Sequence, residues 1–141
     1  MMDINPKHKD RLIVQLSFDF SLRVIDYVEL LEEKKKFVIS RQLLKSASSI
    51  GANVREAQNA ESKTDFIHKM KIALKEADET EYWILLCEHA KNYPKPVGFI
   101  EKLSSIRKVL NEIISSAKKS SVNLKSTIHQ PLITQSWERQ T

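Results

Sequence analysis

Carboxylates and histidines are the residues of this sequence that could hold a metal ion or transfer protons. Glu76 and Glu79 lie about one helical turn apart among apolar neighbours, and Glu56 lies in an earlier helical segment. A di-iron centre in a helical bundle requires two Glu-x-x-His motifs and two further glutamates, but the comparable spacing here is Asp65 to His68 at a helix start. We therefore predict no metal and no cofactor, and we expect the three glutamates to pair with basic, Ser or Asn side chains.

The serine-rich run from Ser46 to Ser49 could in principle supply a nucleophile. A catalytic serine needs a general base within hydrogen-bonding reach, and only Lys45 is near enough along the helix. We therefore predict no catalytic residue and favour a packing role, in which small polar side chains let another helix approach closely. Gly51 costs about 1 kcal/mol relative to Ala in a helix interior, and we expect it to serve the same close approach. The predicted small-polar seam consists of Ser46, Ser49, Asn53, Glu56, Glu76 and Glu79.

Positive charge is the remaining chemical feature, with 23 Lys and Arg against 18 Asp and Glu, a net charge of +5 and a pI of 9.3. The excess lies in residues 37–60 and 95–119. Basic side chains bind phosphates by releasing counterions, without reading sequence. Because the helix-four cations spread around the helical wheel, one copy would present a weak patch that an oligomer would repeat. The candidate nucleic-acid-binding residues are Arg41, Lys45, Arg55, Lys102, Arg107, Lys108, Lys118 and Lys119.

Four helical segments, at about 6–33, 40–59, 63–91 and 97–120, must position these residues. In each segment apolar residues recur every three or four positions, which is the period of an amphipathic helix. The chain has only two glycines and four prolines, which argues against a turn-rich β-fold or a glycine-rich nucleotide loop. Short connections between long helices predict antiparallel neighbours, so we expect an all-α, up-down-up-down four-helix bundle.

Each segment has one apolar face for the bundle core, whereas the residues after 120 lack a helical period. We therefore expect residues 1–120 to form the bundle and residues 121–141 to form a flexible or docking C-terminal tail. The predicted core residues are Ile13, Leu16, Phe20, Val24, Tyr27 and Leu31 in helix one, Leu43, Ala47, Ile50, Val54 and Ala57 in helix two, Phe66, Met70, Ala73, Ala77 and Ile84 in helix three, and Phe99, Leu103, Ile106, Leu110, Ile113 and Ala117 in helix four.

Helices one and three carry more apolar surface than one buried face requires. Large exposed apolar patches usually mark an interface, so we predict self-association into a homo-oligomer. The alternative is a wide buried arc on helix three with a few surface residues. The predicted oligomer-interface residues are Phe18, Leu22, Ile25, Ile72, Trp83 and Leu86.

The cysteine count, the N-terminal residues and the length of the apolar runs predict a cytoplasmic protein. The single cysteine, Cys87, excludes an intrachain disulfide and an all-cysteine zinc site. Residues 1–11 are polar and charged and lack the apolar centre of a signal peptide. No later run approaches the roughly 18 apolar residues of a membrane span. We therefore expect a cytoplasmic protein with no membrane partner.

Two stretches resemble the signatures of a known family, the four-helix-bundle proteins encoded in bacterial 23S rRNA intervening sequences, also called S23-like proteins. The helix-two signature is matched by SASSIGANVREA at residues 46–57, and the helix-three signature by Phe66-Ile67 with ALKEADETEYW at residues 73–83. The resemblance covers about residues 10–120. The family commonly has an acidic residue and then Gly after the helix-two Asn, whereas this chain has Glu56-Ala57, which implies a longer second helix.

The resemblance implies an antiparallel four-helix bundle and kinship with the accessory variability determinant of diversity-generating retroelements. That relative is a basic pentameric barrel that binds nucleic acid and a reverse transcriptase. A pentamer agrees with the surplus apolar surface, and no catalytic residues are known in the family. The signature residues that we interpret as architectural are Ser46, Asn53, Glu56, Glu76, Glu79 and Trp83.

These observations lead to three hypotheses about function. The leading one is a non-enzymatic, ring-like homo-oligomer, expected to be a pentamer, that binds structured RNA or DNA through the basic residues of helices two and four. The alternative is a protein–protein adaptor or scaffold without nucleic-acid binding, with its partner on the outer stripe of helix one or on the tail around Trp137. The third is a small enzyme.

Overall fold

The chain folds as a closed bundle of antiparallel helices, seen in a computed structural model that describes the backbone of residues 6–127 and the side chains of residues 8–120. Consecutive helices pack against each other, and the first also packs against the fourth, which closes the bundle. The predicted all-α four-helix bundle is confirmed. Its helices within the described residues are α1 (Pro6–Glu33), α2 (Phe37–Ala57), α3 (Lys63–His89) and α4 (Phe99–Thr127).

Two helix ends differ from the predicted ends by three residues or more, and α2 ends at Ala57, so it does not run on as the resemblance implied. α4 continues to Thr127, so residues 121–127, which were expected to begin the tail, form its last two turns. The sequence contains no glycine or proline between Phe99 and Pro131, so nothing stops the helix at 120. α2 begins at Phe37, three residues before its predicted start. The Phe37 side chain is exposed and adds nothing to the apolar period, so the period did not reveal this first turn. Residues 128–141, with the proposed tail site at Trp137, lie outside the described residues.

Local hydrogen bonds define where α3 begins. Ser62 is extended and its hydroxyl accepts a hydrogen bond from the Asp65 backbone N–H at 3.1 Å. The Asp65 carboxylate in turn accepts from the Glu61 backbone N–H at 3.4 Å. The Ser62–Asp65 bond is the first half of a capping box, and the Asp65 carboxylate accepts from the residue before the N-cap instead of from Ser62. It fixes the start of the helix that carries the acidic residues and Trp83.

The core is formed by the predicted faces of all four helices. All predicted core residues are buried except Leu16, which is half-buried. Burial of a side chain such as Ile50 or Leu110 stabilises the fold by roughly 1.5–3 kcal/mol. Among the described residues, five hydrophobic residues join the core beyond those predicted: Val28, Ala60, Cys87, Val109 and Ile114. Ser17 is also buried, as a polar side chain.

An aromatic cluster ties the α3–α4 connection to α1. The Phe99 ring, at the start of α4, lies 5.9 Å from the Phe20 ring and 5.4 Å from the Tyr27 ring. The Tyr27 hydroxyl donates a 2.6 Å hydrogen bond to the Pro94 carbonyl oxygen, which satisfies a polar group that burial would otherwise penalise. The connection is therefore held at both ends.

A buried pair of hydroxyls joins α2 to α3. The Thr80 hydroxyl lies 2.9 Å from Ser46 Oγ and 2.7 Å from the Glu76 carbonyl oxygen, and both residues are almost fully buried. Because small hydroxyl side chains occupy this contact, the two helix backbones can approach closely. The pairing also places Ser46 and Thr80 at the same height along the bundle.

Gly51 lies where α2 crosses α1, but close packing does not require glycine there. A Cβ atom built on Gly51 would lie 3.6 Å from the Ser17 carbonyl oxygen and 3.7 Å from Ser17 Cβ, which are ordinary van der Waals distances. The expectation that tight packing excludes a larger residue at this position is therefore wrong. Gly51 therefore lowers the stability of the helix relative to Ala, and no described contact of its Cβ position requires glycine.

Replacing Gly51 by Ala is expected to raise the free energy of unfolding by about 0.5–1 kcal/mol, because Ala has the higher helix propensity and its methyl group has room. Urea denaturation followed by far-UV circular dichroism measures the change at a fixed protein concentration. Ala52→Gly, at the exposed neighbouring position, is the matched control and should lower stability by a similar amount. A lower midpoint for G51A would show that the α1–α2 crossing is too tight for a methyl group.

Candidate functional site

The outer face of α2 carries three exposed cations, Arg41, Lys45 and Arg55. The small residues Ser48 and Ala52 lie between them and are also exposed. In the part of the chain that the structure describes, none of the three cations forms an ion pair with a carboxylate. Their charges are therefore available to an anionic partner, and the small residues leave the surface between them open.

The cations of α4 divide into two kinds. Arg107 forms ion pairs with α3 of the same bundle. Its Nε donates to Asp78 Oδ1 at 3.1 Å, and its Nη2 donates to Glu81 Oε1 at 3.2 Å. Only a quarter of the Arg107 side chain is exposed, so two α3 carboxylates offset its charge. The remaining candidates are exposed to solvent: Lys102, Lys108, Lys118 and Lys119.

The structure does not bring the α2 and α4 cations into one site. α2 packs mainly on α1 and α3, and α4 packs on α3 and α1, so α2 and α4 occupy opposite corners of the bundle. The α4 cations do gain a neighbour that the sequence reasoning missed. Lys71 of α3 is exposed, and a side-chain hydrogen bond with Lys118 first and the Lys118 charge second lower the pKa of Lys71. Nothing in the pattern of either helix alone could reveal a contact between them.

The predicted interface residues form one apolar stripe on α1 and one on α3. In the α1 stripe Phe18, Leu22 and Ile25 are all exposed, with Phe18 at 54%. The α3 stripe consists of the half-buried Ile72 and Trp83 and the exposed Leu86. The two stripes lie on helices that are not direct neighbours, so one copy cannot join them.

Trp83 is positioned by two contacts within α3. Its indole N–H donates to Glu79 Oε2 at 3.1 Å, and its ring meets the Tyr82 ring edge-on at 5.3 Å. Tyr82 is 58% exposed and was not among the predicted interface residues, because it lies toward the solvent side of the helix wheel. Together the two rings extend the α3 stripe.

A groove of about 440 Å³ runs between α1 and α2 beside the α1 stripe. Its floor includes Gly51 and Ser17, Phe18 lies on one rim and Arg55 on the other. The remaining lining residues are Val14, Gln15, Ser21, Ser48 and Ala52. The groove therefore combines small polar residues with one exposed aromatic ring and one cation.

The small-polar seam runs between α2 and α3. Besides the Ser46–Thr80 contact, Asn53 Nδ2 donates to the Ser49 carbonyl oxygen at 2.8 Å within α2. At one end, Lys69 Nζ lies 2.9 Å from Glu56 Oε1 and joins the two helices.

Glu76 is half-buried on the seam. Burial first and the neighbouring Glu79 second raise the pKa of its carboxyl, while Lys45 opposes that shift. Burial raises the pKa of Asp10 to about 6 and raises the pKa of the Cys87 thiol, which disfavours the nucleophilic thiolate. Desolvation is the largest cause of each shift.

Among the described residues, no three Cys, His, Asp or Glu side chains come together as ligands for a metal ion. No helix in the same part of the chain is both long and apolar enough to cross a membrane.

Comparison with known proteins identifies the family. The model of the 23S rRNA-intervening sequence protein family matches residues 9–119. The chain belongs to this family. A crystal structure of a protein with unknown function from the S23 ribosomal protein family, from Bacteroides thetaiotaomicron, is similar at 40% identity and a TM-score of 0.68, over 79% of this chain and 99% of that chain. No curated protein matches the chain.

Membership of the 23S rRNA-intervening sequence protein family confirms the resemblance found at residues 46–57 and 73–83. The matched region spans almost all of the four helices. The related crystal structure is similar over nearly its whole length, so the bundle is the part that the two proteins share.

Replacing Arg107 by Gln is expected to lower the free energy of unfolding by about 1 kcal/mol, because it removes two ion pairs from a side chain of which only a quarter is exposed. Lys108→Gln, at the exposed neighbouring position, removes the same charge and should change stability by less than about 0.5 kcal/mol. Urea denaturation of both variants measures the difference. Equal effects would contradict the assignment of Arg107 to the bundle and not to the free basic surface.

Proposed function

We propose that this protein is a non-enzymatic homo-oligomer, a closed ring in the cytoplasm, that binds nucleic acid through its exposed basic residues. The family resemblance sets the expected subunit number at five. The proposed assembly is supported by the two apolar stripes, which lie on non-adjacent helices of one small bundle. The proposed binding is supported by exposed cations on α2 and α4 that form no ion pair with a described carboxylate.

Two contacts give the relative heights of the stripes along the bundle. Gly51 lies against Ser17 on α1, and Ser46 lies against Thr80 on α3. Neighbouring helices are antiparallel, so eight residues forward along α1, from Ser17 to Ile25, correspond to eight residues back along α2, from Gly51 to Leu43. Ile25 and Leu43 are therefore level. In the same way, three residues back along α2 from Ser46 and three forward along α3 from Thr80 make Leu43 level with Trp83. The α1 and α3 stripes therefore overlap in height on two sides of α2.

Equal height is what a closed ring requires. Copies in a cyclic oligomer are related by rotation alone, without translation along the axis. If that axis is parallel to the helices, the α1 stripe of one copy meets the α3 stripe of the next at the same level. A head-to-tail contact of this kind uses two different surfaces, so each copy binds two neighbours and the chain of contacts closes on itself. The geometry thus supports a ring more than a two-fold dimer.

Repetition around a ring would strengthen the basic surface. One copy exposes its α2 and α4 cations at opposite corners, which gives several separated charges. Each further copy adds the same set at a fixed spacing, and the summed field attracts a polyanion more strongly than one bundle does. Binding of this kind contacts phosphates and is sensitive to salt but not to base sequence.

Leu22→Glu and Leu86→Glu are each expected to disrupt the ring, because each places a charge in one stripe and leaves the other intact. Leu30→Glu, at an equally exposed leucine of α1 outside the stripe, is the matched control and should leave the oligomer unchanged. Light scattering after size-exclusion chromatography measures the mass.

Mixing L22E with L86E tests the head-to-tail geometry itself. The intact α3 stripe of L22E can bind the intact α1 stripe of L86E, but neither chain can bind further. A 1:1 dimer is therefore expected from two monomeric variants. A monomeric wild-type protein, or a ring that survives both substitutions, would contradict the proposed assembly.

Nucleic-acid binding is expected to weaken by orders of magnitude between about 50 and 200 mM salt, because several phosphate contacts release counterions. Fluorescence anisotropy with a hairpin RNA and a duplex DNA measures the affinity. The double variant Lys118→Glu, Lys119→Glu should lower the affinity and flatten the salt dependence, whereas Lys34→Glu, Lys91→Glu, with the same charge change at the other end of the bundle, should do so less. Absence of binding at low salt would reject this part of the proposal.

The second candidate function is a protein–protein adaptor. It is favoured by the groove between α1 and α2, where the exposed Phe18 ring borders small residues that leave room for an apolar side chain of a partner. Phe18→Ser would then abolish co-purification of that partner. This candidate becomes the preferred one if the wild-type protein binds neither RNA nor DNA at low salt.

A further inference from the structure

The groove between α1 and α2 has two unlike rims. Phe18 on the α1 rim is 54% exposed, and Arg55 on the α2 rim is exposed and forms no ion pair with a described carboxylate. None of the described residues that line the groove is a carboxylate. An aromatic ring beside such a cation suits single-stranded nucleic acid, whose bases stack on the ring while its phosphates contact the cation. We propose that this groove binds an unpaired nucleotide, with its base on the Phe18 ring and its phosphate at Arg55.

This inference rests on the proposed nucleic-acid binding and names the class of nucleic acid that the groove selects. In a duplex the bases are stacked and paired, so only an unpaired nucleotide can place its base on an aromatic side chain. The exposed lysines of α4 can contact the phosphates of any strand. The groove therefore adds a preference for single strands to a surface that otherwise recognises charge.

The helix contact at Gly51 sets the separation of the two rims. Gly51 lies against Ser17, and Phe18 is one residue along α1 from that contact. Arg55 is four residues along α2, which runs in the opposite direction. Five residues of helical rise therefore separate Phe18 from Arg55 in height, which is about 7–8 Å. Because a base and the phosphate of the same nucleotide are separated by one sugar, a single nucleotide can reach both rims.

Gly51 is part of the groove floor, and packing of the bundle does not explain it. A Cβ atom at this position would make ordinary contacts with Ser17, although glycine lowers the stability of the helix. Glycine is typical of positions where a ligand approaches the backbone closely, and Gly51 is one of the lining residues. A ligand in the groove gives a reason for a glycine that the bundle itself does not require.

Polar side chains of the groove can contact a base without selecting one sequence. The Ser48 hydroxyl donates to the Lys45 carbonyl oxygen at 3.3 Å, and Gln15 Nε2 donates to Asp19 Oδ1 at 2.9 Å. Both bonds use donors, so the side-chain oxygens of Ser48 and Gln15 keep acceptor capacity for the edge of a base. Such groups accommodate different bases, which agrees with binding that does not depend on sequence.

The site takes Phe18 out of the subunit contact of the proposed ring. Phe18 is the residue of the α1 stripe that lies nearest to the start of α1. Leu22 and Ile25 remain for the contact between copies, and the two helix contacts make them level with Thr80 and Trp83 of α3. The next copy in the ring therefore covers the Leu22–Ile25 part of the stripe and leaves the groove open.

An abasic oligonucleotide separates stacking from charge, because it carries the phosphates of oligothymidine without the bases. The wild-type protein should bind single-stranded oligothymidine of roughly 12 nucleotides about tenfold more tightly than an abasic strand of equal length, since the abasic strand cannot stack. Phe18→Leu should remove most of this difference by weakening the binding of oligothymidine alone. Fluorescence anisotropy at about 50 mM salt measures the four affinities.

Phe37→Leu is the matched control, because Phe37 is 45% exposed on α2 and does not line the groove. This variant should keep the full preference for oligothymidine. Arg55→Gln should weaken the binding of both strands and lower the log–log salt slope by about 0.7, whereas Lys34→Gln, at an exposed lysine after α1, should do so less. Light scattering should give F18L the mass of the wild-type oligomer, and a smaller mass would assign Phe18 to the subunit contact and overturn the site.

A second measurement reports on the ring position directly. Phe18→Trp places a fluorescent ring where the base is expected to stack. Oligothymidine should quench the fluorescence that this variant adds to that of the wild-type protein, whereas the abasic strand should leave it unchanged. Fluorescence that oligothymidine does not alter, although the strand is bound, would overturn the placement of a base on this ring.

The outcomes separate the groove from the proposed function. If the wild-type protein binds the two strands equally, or if F18L weakens both strands alike, the nucleotide site is overturned and phosphate binding by the basic surface stands. If the wild-type protein binds neither the single strands nor duplex DNA at low salt, the proposed nucleic-acid binding fails as well. The groove is then left to the protein partner of the adaptor function.

Discussion

The bundle depends on the burial of one apolar face from each of four helices against the other three. That burial sets the rotation of every helix about its axis, and rotation decides which residues are left outside. With Met70 and Ala73 in the core, Lys71 must face solvent, and with Ile13 and Phe20 inside, Phe18 must face out. The surface chemistry of this protein is therefore a consequence of its core.

The basic side chains of α4 differ in whether carboxylates of the same bundle offset their charge. Arg107 faces Asp78 and Glu81 across the α3–α4 groove, so its charge stabilises the bundle. About three turns further along α4, Lys118 is exposed and forms no ion pair with a described carboxylate. One helix thus supplies both a structural cation and a cation suited to an external anion. The residue type is similar in both cases, and the neighbour on the next helix makes the difference.

Most of the fold was predictable because the helical period is strong and long. The buried faces were predicted almost completely, with Leu16 as the half-buried exception. The helix ends were less predictable, since an exposed Phe37 adds nothing to the period and no helix breaker marks residue 120. The role of Gly51 was misjudged, because propensity shows that glycine is costly but cannot show how much space lies beside it.

By itself the sequence determined the four helices, their buried faces, the signature motifs of the 23S rRNA-intervening sequence protein family and the surplus of apolar and basic residues. These are properties of single segments, and a local period is enough to reveal them. Only the tertiary structure decided which residues meet across helices: Ser46 with Thr80, Lys69 with Glu56 and Arg107 with two carboxylates. Such pairings depend on the height and rotation at which two helices pack, and those are set by the shape of the whole core and not by either helix alone.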